Sequence, residues 1–157
     1  MSDYSALFTG KSETAQAPST HLTPARYRIL LVDDEPGILK ALQRVFRREN
    51  YEIVTAGNGQ EALQIFQDQE IHLVISDFMM PGMNGAQLLR EIKSRAPDTL
   101  RIMLTGHANT DAVMGAVNEG AVYKFIIKPW NDDDLRVTVA LALEQFDLIQ
   151  RNRVLKA

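Results

Sequence analysis

The chain has 157 residues, 45% hydrophobic and 24% charged, with a net charge of −3 at neutral pH. This is the make-up of one ordinary globular domain with some chain to spare, and the acid excess argues against a nucleic-acid-binding domain, which would carry a basic patch. The absence of cysteine excludes disulfides, thiolate metal sites and cysteine nucleophiles and fits a cytoplasmic setting, while no apolar run approaches the roughly 18 residues of a membrane span and the N-terminus lacks a signal-peptide pattern.

Residues 1–26 are rich in Ser, Thr, Ala and Pro. They offer too little apolar surface to offset their ordering entropy and are expected to form a disordered tail. Gly10-Lys11-Ser12 is similar to the end of a phosphate-binding loop. That motif needs a glycine five residues before Gly10, where Ser5 stands, and a strand before it, so it is set aside.

From Tyr27 onward the pattern alternates. Ile29-Leu30-Leu31-Val32 predicts strand 1, and Pro36 to Arg48, with Ile38, Leu42, Val45 and Phe46, predicts helix 1. Tyr51 to Ala56 reads as strand 2, less apolar and therefore an edge. Helix 2 follows with Asn58 as its N-cap. Strand 3 is His72 to Ser76. Helix 3 runs from Gly85 to about Arg95 and is broken by Pro97. Arg101 to Leu104 is strand 4, Thr110 to Glu119 is helix 4, ended by Gly120, and Tyr123 to Ile127 is strand 5. Helix 5 opens near Asn131, with Asp132, Asp133 and Asp134 at the positive end of its dipole. Connections too long for hairpins predict a parallel α/β sheet with helices on both faces. Strands 1, 3, 4 and 5 are apolar throughout, as burial on both faces demands.

Polar residues stand at four strand ends: Asp33, Asp34 and Glu35 after strand 1, Asp77 after strand 3, Thr105 after strand 4, and Lys128 after strand 5. In a parallel sheet these ends share one edge, so the residues converge. Crowded carboxylates repel one another and a divalent cation relieves them; all-oxygen ligands favour a hard ion such as Mg²⁺. A cation, an ammonium and a hydroxyl together suit the three oxygens of a phosphoryl group. Asp77 is then a nucleophile that forms an aspartyl phosphate.

Asp33-Asp34, Asp77 with Met80-Pro81-Gly82-Met83-Asn84-Gly85, Leu104-Thr105-Gly106 and Lys128-Pro129 together resemble the receiver domain of bacterial two-component response regulators. The resemblance covers about residues 27–146. It implies a flavodoxin-like (βα)5 fold with strand order 2-1-3-4-5 and phosphotransfer to Asp77 from a histidine kinase or phosphotransfer protein. It also implies Mg²⁺ bound by Asp34, Asp77 and the backbone carbonyl of Met79, with Asp33 acting through water. Thr105 and Phe125 would be the switch pair, Phe125 standing where the family often has tyrosine, with Tyr123 as a partial substitute. Met79 and His107 would set the lifetime of the phosphate. The helix 4–strand 5–helix 5 surface is the one receivers remodel for dimers or outputs, and the Lys128-Pro129 bond is implied to be cis. The run Phe125 to Trp130 is similar to receivers that precede cyclic-dinucleotide or metal-dependent phosphohydrolase outputs.

The competing reading is an aspartyl-phosphate phosphatase resembling haloacid-dehalogenase-like hydrolases. Such enzymes carry a second aspartate two residues after the nucleophile, where this chain has Met79. A signalling domain rather than an enzyme is therefore expected. Helix 5 continues from Asp133 to about Leu155, about 34 Å, so residues 147–157 form an extension or linker. One stripe of it, Leu135-Val139-Ala142-Phe146-Ile149, is expected to face the sheet. A second, Leu141-Leu148-Leu155, recurs every seven residues and offers a short coiled coil between two copies. No direct nucleic-acid or membrane contact is expected.

Overall fold

Successive residues of the central strands feed two different cores. Ile29, Leu31, Leu73, Ile75, Ile102 and Leu104 point to one face of a sheet; Leu30, Val32, Val74 and Met103 point to the other. In the computed structural model, which describes residues 26–106 and 111–156, the elements alternate strictly. They are β1 (Tyr27–Val32), α1 (Pro36–Val45), β2 (Tyr51–Ala56), α2 (Gly59–Asp68), β3 (Leu73–Asp77), α3 (Gly85–Arg95), β4 (Leu100–Thr105), α4 (Asp111–Asn118), β5 (Lys124–Ile127) and α5 (Asp132–Lys156). All pairings are parallel, in the order β2-β1-β3-β4-β5. This is the expected flavodoxin-like arrangement.

Helices α1 and α5 cover the first face with Leu42, Val45, Phe46, Leu135, Val139, Ala142, Leu143 and Phe146. Helices α2, α3 and α4 cover the second with Ala62, Ala86, Leu88, Leu89, Ile92, Val113 and Ala116. The inward stripe expected for α5 is buried as far as Phe146, and Ile149 is half-buried. The helix stays tied to the body one turn further, where Gln150 donates to Asp98 at 3.2 Å; Arg151 pairs with Asp147 within the helix itself.

Most element boundaries fall within one or two residues of the sequence reading, and the differences that matter are these. Helix α1 stops at Val45 rather than Arg48, because the chain tightens into i→i+3 turns there: Phe46 N–H reaches Gln43 O and Arg47 N–H reaches Arg44 O, while the Phe46 ring is buried. Asp77 and Thr105 are the last residues of β3 and β4 rather than the first beyond them. Strand β5 is not buried on both faces. As an edge strand it leaves Lys124 and Ile127 exposed, and its apolar run reflects an uncovered side rather than an interior position. Tyr123 precedes β5 and is exposed, whereas Phe125 is half-buried against the α2–α3–α4 core; the two do not share an environment. The readings made for residues 1–25, including Gly10-Lys11-Ser12, lie outside the described residues.

Candidate functional site

The three loops that frame the site, after β1, β3 and β5, are each built by a local device. After β1, Asp33 Oδ1 accepts the Glu35 N–H at 2.9 Å, which turns the chain into α1, where Pro36 supplies a preset φ. After β3, Asn84 and Gln87 form a reciprocal capping box that opens α3. Gly85 closes the neck of the loop between: its N–H bonds Phe78 O at 2.9 Å, and a Cβ placed there would stand 2.3 Å from Asp77 O. The Ser76 hydroxyl donates to that same carbonyl at 2.9 Å. After β5, the Lys128–Pro129 bond is cis, and Lys128 N–H bonds Thr105 O at 2.9 Å.

These turns bring Asp33, Asp34 and Asp77 to one edge of the sheet, with one carboxylate oxygen from each within 4.8 Å of the others. Asp33 and Asp77 are buried and Asp34 is exposed. Lys128 Nζ lies 2.7 Å from Asp77 Oδ1 and 3.5 Å from Asp33 Oδ2. Thr105 is buried at the end of β4, one residue past the Leu104 that pairs with Asp77. Met79 has an exposed side chain, 67% accessible, and Phe125 is half-buried on β5 against the α2–α3–α4 core. His107 lies outside the described residues.

The charges are unevenly balanced. Burial raises the Asp33 carboxyl above its ordinary value, and Asp77 and Asp34 push it the same way; the Glu35 N–H and the Lys128 ammonium pull it back only in part. Burial works against the Lys128 ammonium, yet its hydrogen bond to Asp77 and the field of Asp33 raise its pKa overall. Asp33 Oδ2 is buried without a hydrogen-bond partner. With the Lys128 ammonium no nearer than 3.5 Å and two further carboxylates beside it, that oxygen belongs to an all-oxygen donor set that fits a hard divalent cation, whose charge would offset the repulsion. The pocket thus holds a cluster of carboxylates with one lysine ammonium in contact with Asp77, and Thr105 ends the neighbouring strand.

The sequence reading missed the two groups that hold Asp77 itself. Ser76 carried a signal, a lone hydroxyl in an apolar strand next to the acid. Gly85 was read as the start of helix 3 and the end of the Met80–Gly85 motif, not as a contact of Asp77.

The family model described as "Response regulator receiver domain" matches residues 29–140. The transcriptional regulatory protein GlrR of Escherichia coli K12 is 40% identical over 117 residues, which is 74% of this chain and 26% of that protein. The chain spans about a quarter of the length of the curated relatives it matches. Among solved structures, the signal receiver domain of an HD domain-containing protein from Pseudomonas fluorescens Pf-5 aligns with a TM-score of 0.74 at 38% identity, covering 77% of this chain and 97% of that one. The response regulator protein TrrA from Thermotoga maritima, in complex with Mg(2+)-BeF, aligns with a TM-score of 0.65 at 36% identity, covering 74% and 98%.

Proposed function

The chain belongs to the family of response regulator receiver domains, which are phosphoryl-accepting signalling domains, and from that membership we propose that Asp77 is the acceptor and that Asp33, Asp34, Thr105 and Lys128 serve it. The observation that carries the assignment is the convergence of three carboxylates and one ammonium at one sheet edge, with Lys128 Nζ 2.7 Å from Asp77.

A carboxylate oxygen of Asp77 attacks phosphorus in the phosphohistidine of a sensor kinase or phosphotransfer protein. The P–O bond forms as the P–N bond breaks, and the electron pair leaves with the imidazole. Asp34, Asp77 and the Met79 carbonyl would hold Mg²⁺, with Asp33 reaching it through water; the ion supplies the positive charge that lets two anions meet. Lys128 moves from the Asp77 carboxylate to a phosphoryl oxygen. The new group adds about 1.5 to 2 negative charges, and the Thr105 hydroxyl donates to it. Movement of Thr105 lets the Phe125 ring pack deeper, a signal that needs no phenolic hydroxyl. Any dephosphorylation is self-catalysed in the same pocket. The chain works in the cytoplasm; no helix among the described residues is long and apolar enough to cross a membrane.

The surface that reads this change is α4–β5–α5. Its exposed apolar residues Ile127, Val137 and Leu141 line a groove of about 610 Å³ between β5 and α5, and Met114 of α4 is exposed as well; exposed apolar surface of this kind suits a second copy of the chain or an output partner. The leucine stripe on α5 is the second candidate: Leu141 and Leu148 are exposed, Gln145 and Asn152 stand between successive leucines, and two heptad steps make only a short seam. Ile127→Asp should abolish phosphorylation-dependent dimers in sedimentation, whereas removal of residues 152–157 should not; the reverse result would assign pairing to the helix end.

Acetyl phosphate, with and without Mg²⁺, tests the central assignment. A mass gain of one phosphoryl group is expected only with Mg²⁺ and only in the parent. A gain of the same size in Asp77→Ala would overturn it. Trp130, the chain's single tryptophan, donates its Nε1–H to Asp132 at 2.9 Å and lines a cavity with Lys128, so its fluorescence reports the same event.

A further inference from the structure

Helix α4 is short, eight residues, with Val113 and Ala116 buried. Its C-terminal end is nevertheless held from several sides. Gly120, at φ +77°, closes the helix; its N–H bonds Val117 O at 3.0 Å and the Ala121 N–H bonds Ala116 O at 2.9 Å, the paired bonds of a Schellman motif. Three cations from neighbouring elements converge on the same turn. Arg90 of α3 grips the Glu119 carboxylate with Nε at 2.6 Å and Nη2 at 3.4 Å, and Lys93 donates to the Glu119 carbonyl. Arg101 of β4, buried, donates to Ala121 O at 2.8 Å and Gly120 O at 3.1 Å, and uses Nη1 for Pro97 O and Thr99 O. Positive groups at a helix C-terminus also meet the negative end of its dipole.

Arg101 and Thr105 are both on β4, four residues apart, so strand alternation turns them to the same face as Met103, which packs in the α2–α3–α4 core. One strand therefore clamps the far end of α4 through Arg101 and carries the switch hydroxyl at its other end. We propose that α4 is a lever with a fixed end, in which residues 119–121 stay clamped while movement of Thr105 displaces the first turn of the helix. This rests on the phosphoryl-switch reading above. It confines the remodelled surface to Asp111–Met114 and the neighbouring edge of β5.

Arg101→Met removes four bonds at once and risks unfolding, so the exposed pair Arg90→Ala, Lys93→Ala carries the test. Amide exchange and chemical shifts are followed by NMR in the full chain, before and after acetyl phosphate with Mg²⁺, with incorporation checked by mass. In the parent, phosphorylation should shift the amides of residues 111–114 and leave those of 119–121 in place. In the double variant, the Gly120 and Ala121 amides should exchange at least about threefold faster, the scale of one lost exposed ion pair and one charged hydrogen bond, and the phosphorylation shifts should spread to 119–121. Incorporation with equal shifts at both ends of α4 in the parent would sink the lever alone, as would unchanged exchange in the variant. No incorporation at Asp77 would sink the switch reading and the lever with it.

Discussion

Replacing Gly85 with alanine places one methyl group against the backbone of the proposed phosphoacceptor. The new Cβ would stand 2.3 Å from Asp77 O, 2.9 Å from Phe78 Cα and 3.0 Å from Asp77 C. All three are main-chain atoms, so no side chain can rotate away. Restoring ordinary contact at the carbonyl oxygen requires a separation near 3.4 Å, which means the neck of the loop must open by roughly 1 Å. Overpacking of this kind costs about 1–3 kcal/mol, and alanine's better helix propensity at the start of α3 returns at most about 1 kcal/mol. The net expectation is a loss of about 1–2 kcal/mol. The larger effect falls on chemistry, because the displaced atoms belong to Asp77 itself; a shift of about 1 Å in a reacting group can cost roughly a hundredfold in rate. Gly37→Ala is the control, since nothing lies within 4 Å of a Cβ there. Urea unfolding and acetyl-phosphate labelling of both variants decide the matter. If Gly85→Ala matched Gly37→Ala in midpoint and in labelling rate, the view that the loop neck positions the acceptor would be refuted.

Further outcomes follow from the same structure. Asp33 has a raised pKa, so its contribution to stability is present below the unfolded carboxyl value and is lost as pH rises through the folded one; at neutral pH the carboxylate is a net cost. Asp33→Asn should therefore raise Tm in metal-free buffer and shrink the rise that Mg²⁺ gives the parent, about 2.7 kcal/mol at a hundred times Kd, and a lowered Tm would contradict this. His72 is buried, its Nδ1 accepts the Arg28 N–H at 2.9 Å, and burial holds its pKa below the ordinary value. Its contribution is thus present above about pH 6.5 and is lost as pH falls toward the folded value. The urea midpoint should drop between pH 7 and 5 in the parent and less in His72→Phe; equal slopes would remove His72 from the account. The exposed, apolar Met79 side chain cannot orient an attacking water, so the phosphoryl group should persist for minutes or longer, and decay within seconds would count against that role.

The sheet was legible because its period was. Ile29 to Val32 and Leu73 to Ile75 are unbroken apolar runs, and both proved fully interior. The same rule misjudged β5, since Phe125-Ile126-Ile127 has the composition of an interior strand at an edge position. A run of apolar residues reports that surface is to be covered and does not say whether the cover belongs to the same molecule. The acids and Lys128 were legible from their place after the strands, because parallel topology alone collects those ends. What sequence could not give was contact. The buried Asp33 oxygen without a hydrogen bond, the approach of Gly85 to the Asp77 carbonyl and the convergence of Arg90, Lys93 and Arg101 on one turn all depend on how segments pack in space, which residue order and period do not specify.

The packing of α5 along the body as far as Gln150 fixes an angular phase for whatever is joined to it. Each residue added to or taken from a continuous helix turns the following segment by about 100° and moves it about 1.5 Å along the axis. Seven residues bring the heading back to within about 20°; three or four put an attached segment about a turn away along the axis with a measurably different bearing. Splicing a partner domain onto this helix would therefore be a question of rotation as much as of reach, and length variants should alternate between working and silent with the period of the helix.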